Sequence, residues 1–100
     1  MRLRFHPAAR EELHEAGLWY DDDYPGRGER FRNAIARELE RVLAAPHTFP
    51  TWRRRNDVRV RVVPRFPYSL IFVADKEGVA VYAVAHHKRR PGYWQRRIGR

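Results

Sequence analysis

The sequence predicts an α+β protein, an N-terminal helical hairpin packed on a small twisted antiparallel sheet in the order β-α-α-β-β-β. Three observations predict it. Two early stretches carry apolar residues at helical spacing and are separated by Tyr24-Pro25-Gly26. Three apolar, β-branched runs follow between Val58 and His86, the last two joined by Asp75-Lys76-Glu77-Gly78. Each helical stripe has one apolar side, and the strands supply the surface that buries it.

Arg2-Leu3-Arg4-Phe5 alternates charged and apolar residues and suits an edge strand. His6-Pro7 opens the first helix, because Pro fits the first helical position and Glu11 and Glu12 complement the dipole. Ala9, Leu13, Ala16 and Tyr20 form its stripe, with Ala8 and Trp19 beside it. Asp21-Asp22-Asp23 oppose the dipole at the end of that helix and read as solvated surface rather than a metal site. A second helix runs from about Arg27 to Ala44, with Phe31, Ile35, Leu39 and Val42 on one face. Glu29 with Arg32, and Glu38 with Arg41, are assigned to its polar side. The hairpin therefore spans about residues 7–44.

Pro46 stops the second helix, and residues 46–57 are expected as a loop whose Phe49 and Trp52 plug the core edge. Arg53, Arg54 and Arg55 read as a solvated charge run. Val58, Val60 and Val62 then face one way and Arg59 and Arg61 the other, onto an open sheet face. Pro64 and Pro67 bracket a bend, since neither donates to a ladder. Tyr68–Val73 is apolar on both sides and reads as a central strand, and Val79–Ala85 is its hairpin partner. If that last strand is regular, His87 shares a face with Val79 and Val81, and His86 with Tyr82 and Val84. The main sheet covers about 58–86 and a basic tail covers 87–100.

One hundred residues suit a single domain with one modest core. There is no cysteine, so disulfides and thiolate metal sites are excluded. Neither a signal-peptide stretch nor a membrane-length apolar run is present, and a cytoplasmic protein without cofactor or metal is expected. The net charge of +9 is uneven. Residues 1–50 hold eight Arg against nine Asp and Glu, whereas residues 51–100 hold eleven Arg and two Lys against three acids. The basic excess thus lies in the sheet half, which points to a polyanion or an acidic protein as partner.

Several segments in this order resemble the RelE/ParE superfamily of type II toxins. They are Pro7-Ala8-x-x-Glu11-x-Leu13, Gly28-x-x-Phe31, and Val58-Arg59-Val60-Arg61 followed by Phe66-Pro67-Tyr68. Ala83-Val84-Ala85-His86 comes last, with Arg89-Arg90-Pro91-Gly92-Tyr93-Trp94 behind it. The resemblance covers almost the whole chain. It implies a toxin neutralised by a cognate acidic antitoxin. It leaves two activities open on one fold, a ribosome-dependent mRNA endonuclease (RelE-like) and a non-enzymatic DNA gyrase inhibitor (ParE-like). A degenerate member that only binds its antitoxin is a third.

Metal-free RNA cleavage directs a 2′-hydroxyl at the adjacent phosphate and needs a base, an acid and cations for the phosphorane. By resemblance, Arg59 and Arg61 stand where RelE-like enzymes carry two strand lysines. Arginine keeps the charge but does not take a proton at neutral pH. Arg89 matches the arginine after the last strand that contacts phosphate, and Tyr93 the tyrosine that stacks on a base. Ser69 departs from the pattern, which has arginine there, and Arg65 is a candidate to fill the same volume. His86 or His87 supplies proton transfer, since a histidine titrates near neutrality. Lys88 and Arg90 add phosphate contacts. The expected catalytic set is Arg59, Arg61, His86, His87, Arg89 and Tyr93, with Arg65, Lys88 and Arg90 binding RNA. The expectation leans to the endonuclease, with ribosome and mRNA as partners and DNA gyrase as the alternative.

Overall fold

Five strands form one sheet in the order β1-β5-β4-β3-β2, and two long helices cover one of its faces. The computed structural model describes residues 2–99, so Arg100 of the predicted tail lies outside it. Along the chain come β1 (Arg2–Phe5), α1 (Pro7–Asp23), α2 (Arg27–Ala44), a 3₁₀ turn (Pro46–Thr48) and β2 (Thr51–Trp52). Then follow β3 (Arg55–Val62), β4 (Tyr68–Asp75), β5 (Gly78–His86) and a short α3 (Gln95–Ile98). The α+β layout is the predicted one. Three details are new: β1 runs parallel to β5, making the sheet mixed, and β2 and α3 lie in segments expected to be irregular.

His6 caps α1, its Nδ1 accepting the Ala8 N–H at 3.0 Å while Pro7 takes the first helical position. Two of the three aspartates at the other end serve the next helix. Asp21 accepts the Gly28 N–H at 2.9 Å and pairs with Arg32 at 3.1 Å, and Asp23 pairs with Arg27. An acid that opposes the dipole of α1 thereby caps the positive start of α2. Gly28 is required there, because a Cβ would overlap the Asp21 carboxylate.

The hairpin face of the sheet holds the larger core: Phe31, Ile35, Leu39 and Val42 of α2 and Tyr20 of α1 meet Leu70, Phe72, Val79, Val81 and Val84. The opposite face has a smaller core of Val58, Ile71, Ala83 and Ala85. It is covered by Trp94, which the returning C-terminal segment brings against Trp52 at a ring distance of 4.8 Å. Phe49 and Trp52, predicted to plug one core edge, serve different cores, Phe49 the first and Trp52 the second.

One irregularity sets the geometry of everything after it. Ile71 pairs with Ala83 but Phe72 pairs with Val81, so Tyr82 is an extra residue in β5. This β-bulge inverts the alternation. Val79 and Val81 face the hairpin, as does Val84, while Ala83 and Ala85 face the tail. The expectation that His87 shares a face with Val79 and Val81 fails for this reason. His86, opposite Tyr68, keeps company with Val84 on the hairpin side.

Candidate functional site

Arg59 and Arg61 lie on the hairpin side of the sheet, not on an open face. Their partners in register are Phe72 and Leu70, both in the hairpin core. Arg61 Nε donates to Glu38 Oε1 at 2.7 Å, and Arg41 holds Glu38 Oε2 at 3.0 Å. Glu38 is 2% exposed, and a carboxylate so buried needs both cations. It is therefore part of the core, not of the polar side of α2 where the spacing placed it. Arg59 donates to the carbonyls of Phe49 at 2.7 Å and His47 at 3.3 Å, satisfying the turn before β2. The alternation of β3 was read correctly, but both faces of the sheet are covered, so the valines' face is no more a core than the arginines' face.

The opposite face carries a recess of about 230 Å³. Ser69 and Ile71 of β4 and Val60 of β3 form its floor, and His87, Arg89 and Arg90 stand at the turn beside it. Ser69 Oγ and His87 Nε2 share a hydrogen bond of 2.9 Å. His87 is placed by its N–H, which donates to the Pro67 carbonyl at 2.9 Å. Lys88 and Arg90 are exposed on the same turn.

Tyr93 and Arg89 are bound into a second arrangement centred on Glu12 of α1. The Tyr93 hydroxyl donates to Glu12 Oε2 at 2.7 Å, and Arg97 Nη2 donates to the same oxygen at 2.8 Å. Glu12 Oε1 accepts the Val84 N–H at 2.9 Å, just beyond the end of β1, and Arg97 Nη1 donates to the Tyr82 carbonyl at 3.0 Å. The Glu12–Arg97 pair thus replaces the missing neighbour strand along the bulged part of β5. Arg89 stacks over the Tyr93 ring, 3.8 Å from its centroid, with Nη1 at 4.0 Å from Glu12. Burial, and then the hydrogen bond to Glu12, push the Tyr93 hydroxyl far above the usual tyrosine range. It is neither a proton source near neutrality nor a free ring for a base.

His86 lies beside that hub in a second recess of about 240 Å³ with Glu15, Trp19 and Tyr68. Its Nδ1 accepts the Lys88 N–H at 3.0 Å, and its ring meets Tyr68 edge-on at 5.0 Å. Burial first, then Lys88 and His87, lower its pKa, so the neutral imidazole is favoured. Arg65 is remote from these groups, exposed on the bend after β3 and facing the outer side of α2.

The nine predicted residues therefore divide among five places. Arg59 and Arg61 neutralise a carboxylate and a turn; Tyr93 and Arg89 belong to the Glu12 hub; His86 packs on Tyr68; Arg65 borders α2. His87 and Arg90 stand at the open recess, which Arg89, Tyr93 and His86 also border, and Lys88 is exposed on the same turn. Glu12, Glu38 and Arg97 were not singled out from the sequence. A signal existed for the two acids, since Glu12 sits between Ala9 and Ala16 and Glu38 between Ile35 and Val42, each inside an apolar stripe. Among the described residues there is no group of three His, Cys, Asp or Glu side chains that could hold a metal. No described helix is long and apolar enough to cross a membrane.

A family model described as "ParE toxin of type II toxin-antitoxin system, parDE" matches residues 3–91. Among solved structures, a chain of the "Chromosomal ParDE TA system from P. aeruginosa" superposes with a TM-score of 0.74. That chain is 15% identical, and the match covers 86% of this chain and 95% of the other. No curated protein sequence matches.

Proposed function

We infer the function from a settled premise: the chain belongs to the ParE toxin family of type II toxin–antitoxin systems. It is a toxin restrained by an antitoxin partner, and it arrests growth by binding a protein target rather than by cutting RNA. The target proposed is DNA gyrase. One observation carries this choice over the endonuclease: Arg59 and Arg61 are committed to the hairpin side, across the sheet from Ser69 and His87. A phosphorane held near His87 would meet Arg89 and Arg90, with Lys88 on the same exposed turn, but not Arg59 and Arg61 beneath it. The hydroxyl of Tyr93 is likewise occupied.

The Ser69–His87 pair is the specific observation on the side of a ribosome-dependent mRNA endonuclease, the second reading. An imidazole is a side chain of the kind general-base catalysis uses, but among the described residues no hydrogen bond to a carboxylate orients His87. The two are separated by adding purified protein to gyrase supercoiling reactions and to programmed ribosomes in parallel. Loss of supercoiling with intact mRNA is the expected result. Discrete new 5′ ends on ribosome-bound mRNA, with gyrase unaffected, would overturn it.

A further inference from the structure

The pairing of Ser69 with His87 has a chemical use that needs neither RNA nor a protein target. Ser69 lies on the central strand β4 and is 7% exposed, its hydroxyl oxygen 2.9 Å from His87 Nε2. His87 is exposed on the turn after β5, its backbone N–H anchored on the Pro67 carbonyl at 2.9 Å. A base in contact with solvent thus stands beside a hydroxyl that solvent hardly reaches. With Nδ1 protonated, Nε2 accepts the Ser69 hydroxyl, the geometry in which a histidine draws the proton from a serine.

The recess beside the pair is small and mostly apolar. Val60, Ile71 and Ala85 line it from the sheet, and Trp52 and Trp94 from the cover. Its volume of about 230 Å³ falls below the range of about 300–1,000 Å³ typical of drug-sized ligands. Arg90 stands at its edge and makes no side-chain hydrogen bond or ion pair among the described residues. Nucleophile, base, apolar chamber and unpaired cation are the parts that acyl transfer needs. A carboxylic ester suits them better than a phosphodiester. Its tetrahedral intermediate puts the negative charge on a single oxygen, which a single guanidinium can meet.

We propose that Ser69 is a nucleophile, with His87 as its base, toward esters of short apolar acyl groups. Ser69 Oγ attacks the ester carbonyl carbon while His87 Nε2 takes the hydroxyl proton, and Arg90 meets the oxyanion. The bond from the carbonyl carbon to the alcohol oxygen breaks. The alcohol leaves with the proton from His87, and the acyl group stays on Ser69 in the recess. Water, giving its proton to His87, then attacks the acyl carbon, releases the carboxylic acid and restores the serine. With no carboxylate to orient His87, this second step is slow and acyl-Ser69 accumulates. The proposal does not depend on gyrase being the target.

The test treats the purified full chain with p-nitrophenyl acetate. It follows release of p-nitrophenol and the mass spectrum of the tryptic peptide 66–76, which contains Ser69. A burst stoichiometric with the protein and an acetyl group on Ser69 are expected. S69A abolishes the burst, H87A slows it about a hundredfold, and S69C keeps it as a thioester. R90Q slows it about tenfold. p-Nitrophenyl octanoate, too long for the recess, reacts about tenfold more slowly than the acetate. Circular dichroism checks that each variant is folded. A burst that survives in S69A, or acetylation of lysine in place of Ser69, would overturn the proposal. So would an unchanged rate in H87A, or steady release without a burst, which is the work of surface imidazoles. Octanoate reacting as fast as acetate would overturn the role of the recess and the proposal with it.

Discussion

The two faces of the sheet are built to different standards. The hairpin face is sealed by two long helices, and even its charged groups, Arg61 and Glu38, are paired within it. The other face is roofed by Trp94, Tyr93 and Ile98, on a C-terminal segment tied down chiefly through Glu12, with Trp52 of β2 beside them. That thinner roof leaves the recess in which Ser69 and His87 sit. The comparison teaches that stability and exposure of polar chemistry are divided by face, with β4 contributing alternate residues to each.

Adjacent residues test that division most strongly. Phe72→Ala removes a fully buried ring from the hairpin core and is expected to cost about 4 kcal/mol. Ile71→Ala, one residue earlier on the tail face, is expected to cost about 2 kcal/mol because its thin cover can collapse. Urea denaturation gives both values, and equal losses would break the comparison.

The two carboxylates sharpen it at a smaller scale. Glu38→Ala leaves Arg61 without its partner under the hairpin and is expected to cost about 3 kcal/mol. Glu12→Ala is expected to cost less, about 2 kcal/mol, since the Glu12 carboxylate is itself nearer to solvent than that of Glu38. Its clearer signature is local: trypsin should cut at Arg96 and Arg97 several-fold faster than in the unmodified protein, with α1 and α2 still protected. A global loss of protection would mean that the C-terminal segment is integral to the core.

The smallest expected effect is on acidification. His86 has a folded pKa below its ordinary value, so the folded state binds fewer protons than the unfolded chain. Its contribution is complete above about pH 6.5 and is lost as pH falls through the depressed value. His86→Phe should flatten that part of the stability profile, measured by chemical denaturation between pH 7 and pH 5. A profile steeper in the variant would reverse the sign and place the charged imidazole in the native state.

Much of this architecture was legible because periodicity survives in sequence. Both helices, β1, β4, β5 and the turn at Asp75–Gly78 are where apolar spacing and Gly placed them. β3 starts at Arg55, three residues before the alternating valines begin, because a strand may begin on polar residues when β2 pairs with it. The site was less legible for two physical reasons. Alternation says which residues share a face but not which face is covered, so Arg59 and Arg61 were assigned to the open side. The run Val79-Ala-Val-Tyr-Ala-Val-Ala-His-His is equally good in either phase, and nothing in it marks Tyr82 as the extra residue.

That extra residue makes β5 a reading frame. Upstream of Tyr82 the strand is anchored by its pairing with β1 and by the tight approach of Gly78 to Arg2. Downstream, every side chain is assigned to a face by whether one residue is counted or skipped. Removing Tyr82 would keep the composition of the terminal cluster almost intact yet exchange His86 and His87 between the hairpin side and the recess. A single codon gained or lost in this strand can therefore change which titratable group a homologue presents to its target, without altering any residue that presents it.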